Sequence, residues 1–152
     1  MMADINPSDV LREAIDLKDR GAFAEALEKH LWFHHEAILA SRAFYGVRLS
    51  YALRAWMDLG NVYPPARAAL EAVRDEAATA LRNGGTDRLL FEEVASISDL
   101  LNQPALTRDL FAEIEARDRE LARRCFESAL PSLLKTKEFN SPGASFSYRR
   151  VR

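Results

Sequence analysis

Residues that favour strands are scarce in this chain. Valine, isoleucine and threonine together fill 15 of its 152 positions, too few to build a sizeable sheet. Long apolar runs are missing too, and none approaches the about 18 consecutive apolar residues that would cross a bilayer. The single Cys125 excludes an intramolecular disulfide framework and any multi-cysteine zinc site. Its neighbours Arg123 and Arg124 are cations of the kind that make a thiol reactive, whereas the general habit of cysteine is burial as a small apolar residue. A strong excess of one charge is also lacking: the formal net charge of −2 gives no global attraction to nucleic acid or to anionic lipid. Met1 to Val10 carries two acids and no apolar stretch of a secretory signal, so a reducing cytoplasm is the expected location. What the chain does have is alanine, leucine, glutamate, arginine and lysine, 78 residues in all, and a hydrophobic content of 48%. That is the composition of a helical protein with a core of its own.

Glycine and proline fall in clusters that punctuate the chain into helix-length pieces. Asn6-Pro7-Ser8-Asp9 reads as a helix start, with Asn6 as cap, Pro7 in the first position and Asp9 at the positive end of the dipole. This first helix is expected to stop at Gly21, which tolerates a left-handed turn. The second is expected over about 22–39 and the third over about 47–59, after a weak break at 41–46. Helix four spans about 64–83, helix five about 87–101, and helix six starts near Pro104 and continues, with a break near 117–119, to about Ala129. Pro131 is expected to open a short last helix to about Phe139. The remainder, residues 140–152, is read as a poorly ordered tail carrying Arg149, Arg150 and Arg152. The whole is expected to be one helical domain over residues 1–139 followed by that basic tail.

A shift of about 40 residues brings the chain onto itself. Gly21-Ala22-Phe23-Ala24-Glu25-Ala26 falls on Asn61-Val62-Tyr63-Pro64-Pro65-Ala66, and then on Asn102-Gln103-Pro104-Ala105-Leu106-Thr107. Leu70 and Val73 fall on Phe111 and Ile114, while Leu53, Trp56 and Leu59 fall on Val94, Ile97 and Leu100. Each unit is a helix, a tight turn and a second helix, with a small residue near the start of the second helix where the two must approach. Leu17, Phe23, Leu27, Leu31, Leu49, Leu53, Trp56, Leu70, Val73, Phe91, Val94, Leu110, Phe111 and Ile114 are the expected core.

Gly21-Ala22-Phe23-Ala24-Glu25-Ala26-Leu27 resembles the turn and second helix of the tetratricopeptide (TPR) repeat family. Trp56-Met57-Asp58-Leu59-Gly60-Asn61-Val62-Tyr63 contains that family's W-x-x-L-G-x-x-Y pattern, although Pro64 and Pro65 place a turn where the family continues its first helix. The period also departs from the family's, which is about 34. Residues 45–66 are similar to uncharacterised bacterial TPR-like proteins. The resemblance spans residues 8–115 in three degenerate units. It implies an all-α, right-handed solenoid of six to eight helices in antiparallel pairs, with a concave surface that binds a protein or peptide. Arg48, Tyr51 and Arg54 on helix three are the expected lining, joined by Trp32 and His35 on helix two. Arginine beside an aromatic ring suits a carboxylate or an acidic segment. A repeat array also leaves end faces open, so a homodimer formed through a terminal helix pair is compatible with the pattern.

All three histidines lie in His30-Leu31-Trp32-Phe33-His34-His35-Glu36. His30 and His34, four apart on one helical face, are spaced to chelate a transition metal, and a metal-binding protein or metal-dependent enzyme using them is the rival reading. Two ligands fall short of a closed site, which takes four. His30 also falls where Leu70 and Phe111 stand in the other units, a packing position. There is no phosphate loop, nucleophile elbow or paired-carboxylate motif, so no enzyme activity and no cofactor is expected. The Glu113–Arg117, Glu115–Arg119 and Glu120–Arg124 pairs at i,i+4 read as a solvated face rather than a phosphate-binding stripe.

Overall fold

The computed structural model describes residues 5–40 and 50–137. Among them the chain is all-helical: α1 (Pro7–Asp19), α2 (Phe23–Ala40), α3 (Tyr51–Val62), α4 (Pro64–Arg82), α5 (Arg88–Leu100), α6 (Pro104–Arg117) and α7 (Arg119–Lys137). It clusters into two compact units that divide between Val73 and Arg74, inside α4.

Local chemistry sets most helix ends. The Asn6 side chain accepts a hydrogen bond from the Ser8 amide at 2.9 Å, and Pro7 takes the first turn of α1, where its missing N–H costs nothing. Gly21, at φ 81°, closes that helix with the Gly21 amide on the Lys18 carbonyl at 3.0 Å and the Ala22 amide on the Leu17 carbonyl at 2.9 Å. This is a Schellman closure, and it recurs after α4 at Gly84 (φ 105°) and after α5 at Asn102 (φ 57°). Gly21 and Asn102 occupy equivalent places in the repeat. Their counterpart Asn61 is different, because α3 runs on through it to Val62. There Tyr63 alone makes the turn in extended conformation, as the residue before Pro64 must.

In the first unit α1 packs on α2 and on α3, and α2 packs on α3. Leu11, Phe33, Ala52 and Ala55 form one buried cluster, with Ile15 and Trp32 against it. α3 and the start of α4 approach closely: a Cβ on Gly60 would lie 3.2 Å from the Arg67 backbone. In the second unit α5 packs on both α6 and α7, and α6 packs along α7. Phe91, Phe111, Leu110, Ile114, Leu121 and Cys125 are the centre of a larger core. Asp118 is the one residue between α6 and α7, and its carboxylate caps the Leu121 amide at 3.0 Å.

Positions aligned by the shift of about 40 residues share the same burial. His30, Leu70 and Phe111 are all buried, and so are the small residues Ala26, Ala66 and Thr107. Of the expected core, Phe23, Leu27 and Leu31 are only half-buried, because the buried arc of α2 is turned toward Ala26, His30, Phe33 and His34. Leu49 lies outside the described residues. Pro131 does not open a helix. It sits inside α7 on the exposed side, where the carbonyl it leaves without an amide donor faces water while Leu133 and Thr136 stay in the core.

Two buried hydroxyls in the second unit, on Ser98 and Thr107, have no hydrogen-bond partner. Such a group costs free energy that an isosteric methyl does not. Thr107→Val is expected to leave stability unchanged or raise it by about 1 kcal/mol in urea unfolding, with an unchanged slope. A loss above about 1 kcal/mol would mean that the hydroxyl is satisfied in solution.

Candidate functional site

The histidine segment and α3 meet around one indole. Trp56, almost fully buried, donates its Nε1–H to the Ala66 carbonyl at 2.9 Å, fixing the ring between α3 and α4. The His30 ring stacks on it with centroids 6.0 Å apart, and the His34 ring meets it edge-on at 5.8 Å. Both imidazoles are 2% exposed. His30 is pushed down to about 4, chiefly by burial, with the Lys18 ammonium adding to the shift. It is therefore a neutral packing ring at physiological pH. No group of three histidine, cysteine, aspartate or glutamate side chains able to hold a metal ion comes together among the described residues.

The residues expected to line a binding surface differ in exposure. Tyr51, the first residue of α3, is 56% exposed, and Arg54 one turn later is exposed as well. Trp32 is half-buried against the cluster that contains Ala52 and Ala55, which lies on the same helix as Tyr51 and Arg54. His35 is exposed and meets the His34 ring at 5.3 Å. Arg48 lies outside the described residues. Periodicity alone did not disclose how Trp56 gathers α2 and α4, since the indole's partner is a backbone carbonyl ten residues on.

Cys125 is fully buried, and burial pushes its thiol up despite the opposing influence of Arg124 and Arg88. The neighbouring cations therefore do not produce a thiolate. Of the three expected Glu–Arg pairs, none forms among the described residues. Glu113 instead makes two hydrogen bonds to Arg82, at 2.9 and 3.1 Å, Arg117 donates to the Leu81 carbonyl at 2.9 Å, and Glu120 pairs with Arg123. For Glu113 and Arg117 the long-range partners, 31 and 36 residues away, replace the helical one, while Glu120 takes the neighbour three residues on instead of four.

No helix among the described residues is long and apolar enough to cross a membrane. Comparison with family models, curated proteins and solved structures finds no match to this chain. The tetratricopeptide resemblance thus rests on the residues quoted for it.

The buried imidazole makes stability depend on pH with a defined sign. His30 folds neutral, whereas the unfolded chain takes up a proton on it below about 6.5. Its contribution is complete above about pH 6.5 and is lost as the pH falls toward 4, by about 3 kcal/mol in all. His30→Leu, which installs the residue found at the equivalent position 70, is expected to flatten this acid limb in urea titrations between pH 7 and 4. An acid limb identical in the two proteins would place the dependence elsewhere.

Proposed function

We propose that this chain is a non-enzymatic, tetratricopeptide-like module that binds a protein or peptide on the surface carrying Tyr51 and Arg54. In this reading the helix pairs α1/α2, α3/α4 and α5/α6 are three repeats of a right-handed solenoid, and α7 is the first helix of a further one. The observation that carries it is the burial of one equivalent position per repeat, at His30, Leu70 and Phe111. Contacts support it as well. The first helices of neighbouring pairs touch within each unit, α1 with α3 and α5 with α7. The turn aromatics Phe23 and Tyr63, equivalent in the repeat, lie 5.7 Å apart.

Such modules bind along the first helices of their pairs, which puts Tyr51 and Arg54 on the proposed binding face, with Trp32 and His35 at its margin; Arg48, the remaining candidate, lies outside the described residues. The chemistry suits a partner with a carboxylate: arginine supplies a planar pair of donors, and tyrosine supplies contact area at low entropic cost. A reducing cytoplasm is the compartment proposed, and assembly into a homodimer through an open end face is compatible with the reading. Fold does not fix function, so the proposal stands on the side chains.

Affinity capture from the native host, repeated with Tyr51→Ala and with Arg54→Ala, tests it. The expected result is one specific partner whose affinity falls roughly 30-fold in either variant, at unchanged helicity by circular dichroism. Equal capture by both variants would reject this face as the binding surface.

A further inference from the structure

In the second unit, a half-open cavity of about 450 Å³ is lined by residues of α6 and α7. Its volume is within the range of small-molecule sites. The floor is apolar. Phe111 is 1% exposed and packs edge-on against Phe91 at 6.3 Å, while Phe126 lies 6.1 Å from Phe111 and is only half-buried; Ala122 leaves room beside them. Four charged side chains stand around this floor, and two of them cancel: Arg123 is bound to Glu120. The other two, Glu115 at the end of α6 and Arg119 at the start of α7, make no ion pair or hydrogen bond with any described residue. The single-residue break at Asp118 changes the chain direction between them and so removes the i,i+4 geometry that would have joined them on a continuous helix.

An aromatic floor flanked by one unpaired carboxylate and one unpaired guanidinium is complementary to a molecule with the opposite arrangement. We propose that the α6/α7 cavity binds a free aromatic α-amino acid, its ring on Phe111, Phe126 and Ala122, its carboxylate on Arg119 and its ammonium on Glu115. Aromatic pairs favour offset or edge-on contact, which the tilted Phe111 and Phe126 rings offer to a third ring. The guanidinium meets a carboxylate with two parallel donors, and Glu115 accepts from an ammonium as a point charge. A ligand with only one charge leaves the other protein group unmatched at the cavity mouth. This site is independent of the Tyr51 and Arg54 surface.

The test uses the full chain with three probes: L-phenylalanine, 3-phenylpropionate, which lacks the ammonium, and 2-phenylethylamine, which lacks the carboxylate. Saturation-transfer NMR and titration calorimetry should show L-phenylalanine binding, with each single-charge analogue weaker by about tenfold. Arg119→Gln should abolish the preference for L-phenylalanine over 2-phenylethylamine, and Glu115→Gln its preference over 3-phenylpropionate. Both positions are outside the core, and circular dichroism checks that the fold is kept. Absence of L-phenylalanine binding at about 10 mM overturns the proposal. So does equal binding of either analogue, or unchanged selectivity in both variants.

Discussion

The hydrogen bond from the Trp56 indole to the Ala66 carbonyl is the constraint on which the first unit depends. It requires α3 and α4 to lie close at their shared turn, which Gly60 permits by offering no Cβ to the Arg67 backbone. With the indole plane fixed in this way, its faces and edges become the surface on which His30 and His34 pack. One side chain thus joins three helices, and its burial alone is worth about 2–3 kcal/mol of apolar transfer. The neutrality of His30 is a consequence of the same arrangement, since a proton there would be held against a desolvating ring with an ammonium nearby.

Helix identity was legible in the sequence because it rests on short-range rules. Asn6 caps, Gly21 closes, and the spacing of Leu53, Trp56, Val94 and Ile97 marks buried faces. The shift of about 40 residues also aligned positions of like burial: Ala26, Ala66 and Thr107, and His30, Leu70 and Phe111, are all buried. Rotation of a helix about its axis was less legible. Leu27 and Leu31 share a face with His30, yet the neighbours of α2 cover the arc on the side of Phe33 instead. Pro131 misled because the rule that proline starts helices is a statement of frequency, while an exposed interior position with an anchored far side satisfies the same steric demands.

The candidate sites divide along similar lines. His30 could be placed by periodicity, and its register pointed to packing. Charge pairing was only partly placed by spacing: Arg20–Asp16, Arg67–Glu71 and Arg88–Glu92 pair four residues apart, whereas Arg82 reaches across helices to Glu113 and Arg74 to Gln103. The unpaired Glu115 and Arg119 are legible only once the break at Asp118 is located, since on paper they form an ideal intrahelical pair.

The end of α4 shows how such long-range choices shape dynamics. The Leu81 carbonyl accepts from the Gly84 amide at 3.1 Å and from the Arg117 guanidinium at 2.9 Å, while Arg82 is held by Glu113. A helix terminus ordinarily frays by itself, one carbonyl at a time, on a timescale set by local water. Here the last turn of α4 cannot loosen without releasing two side-chain attachments to α6. Fraying at the α4 end is thereby coupled to α6, through an exposed pair worth about 1 kcal/mol or less.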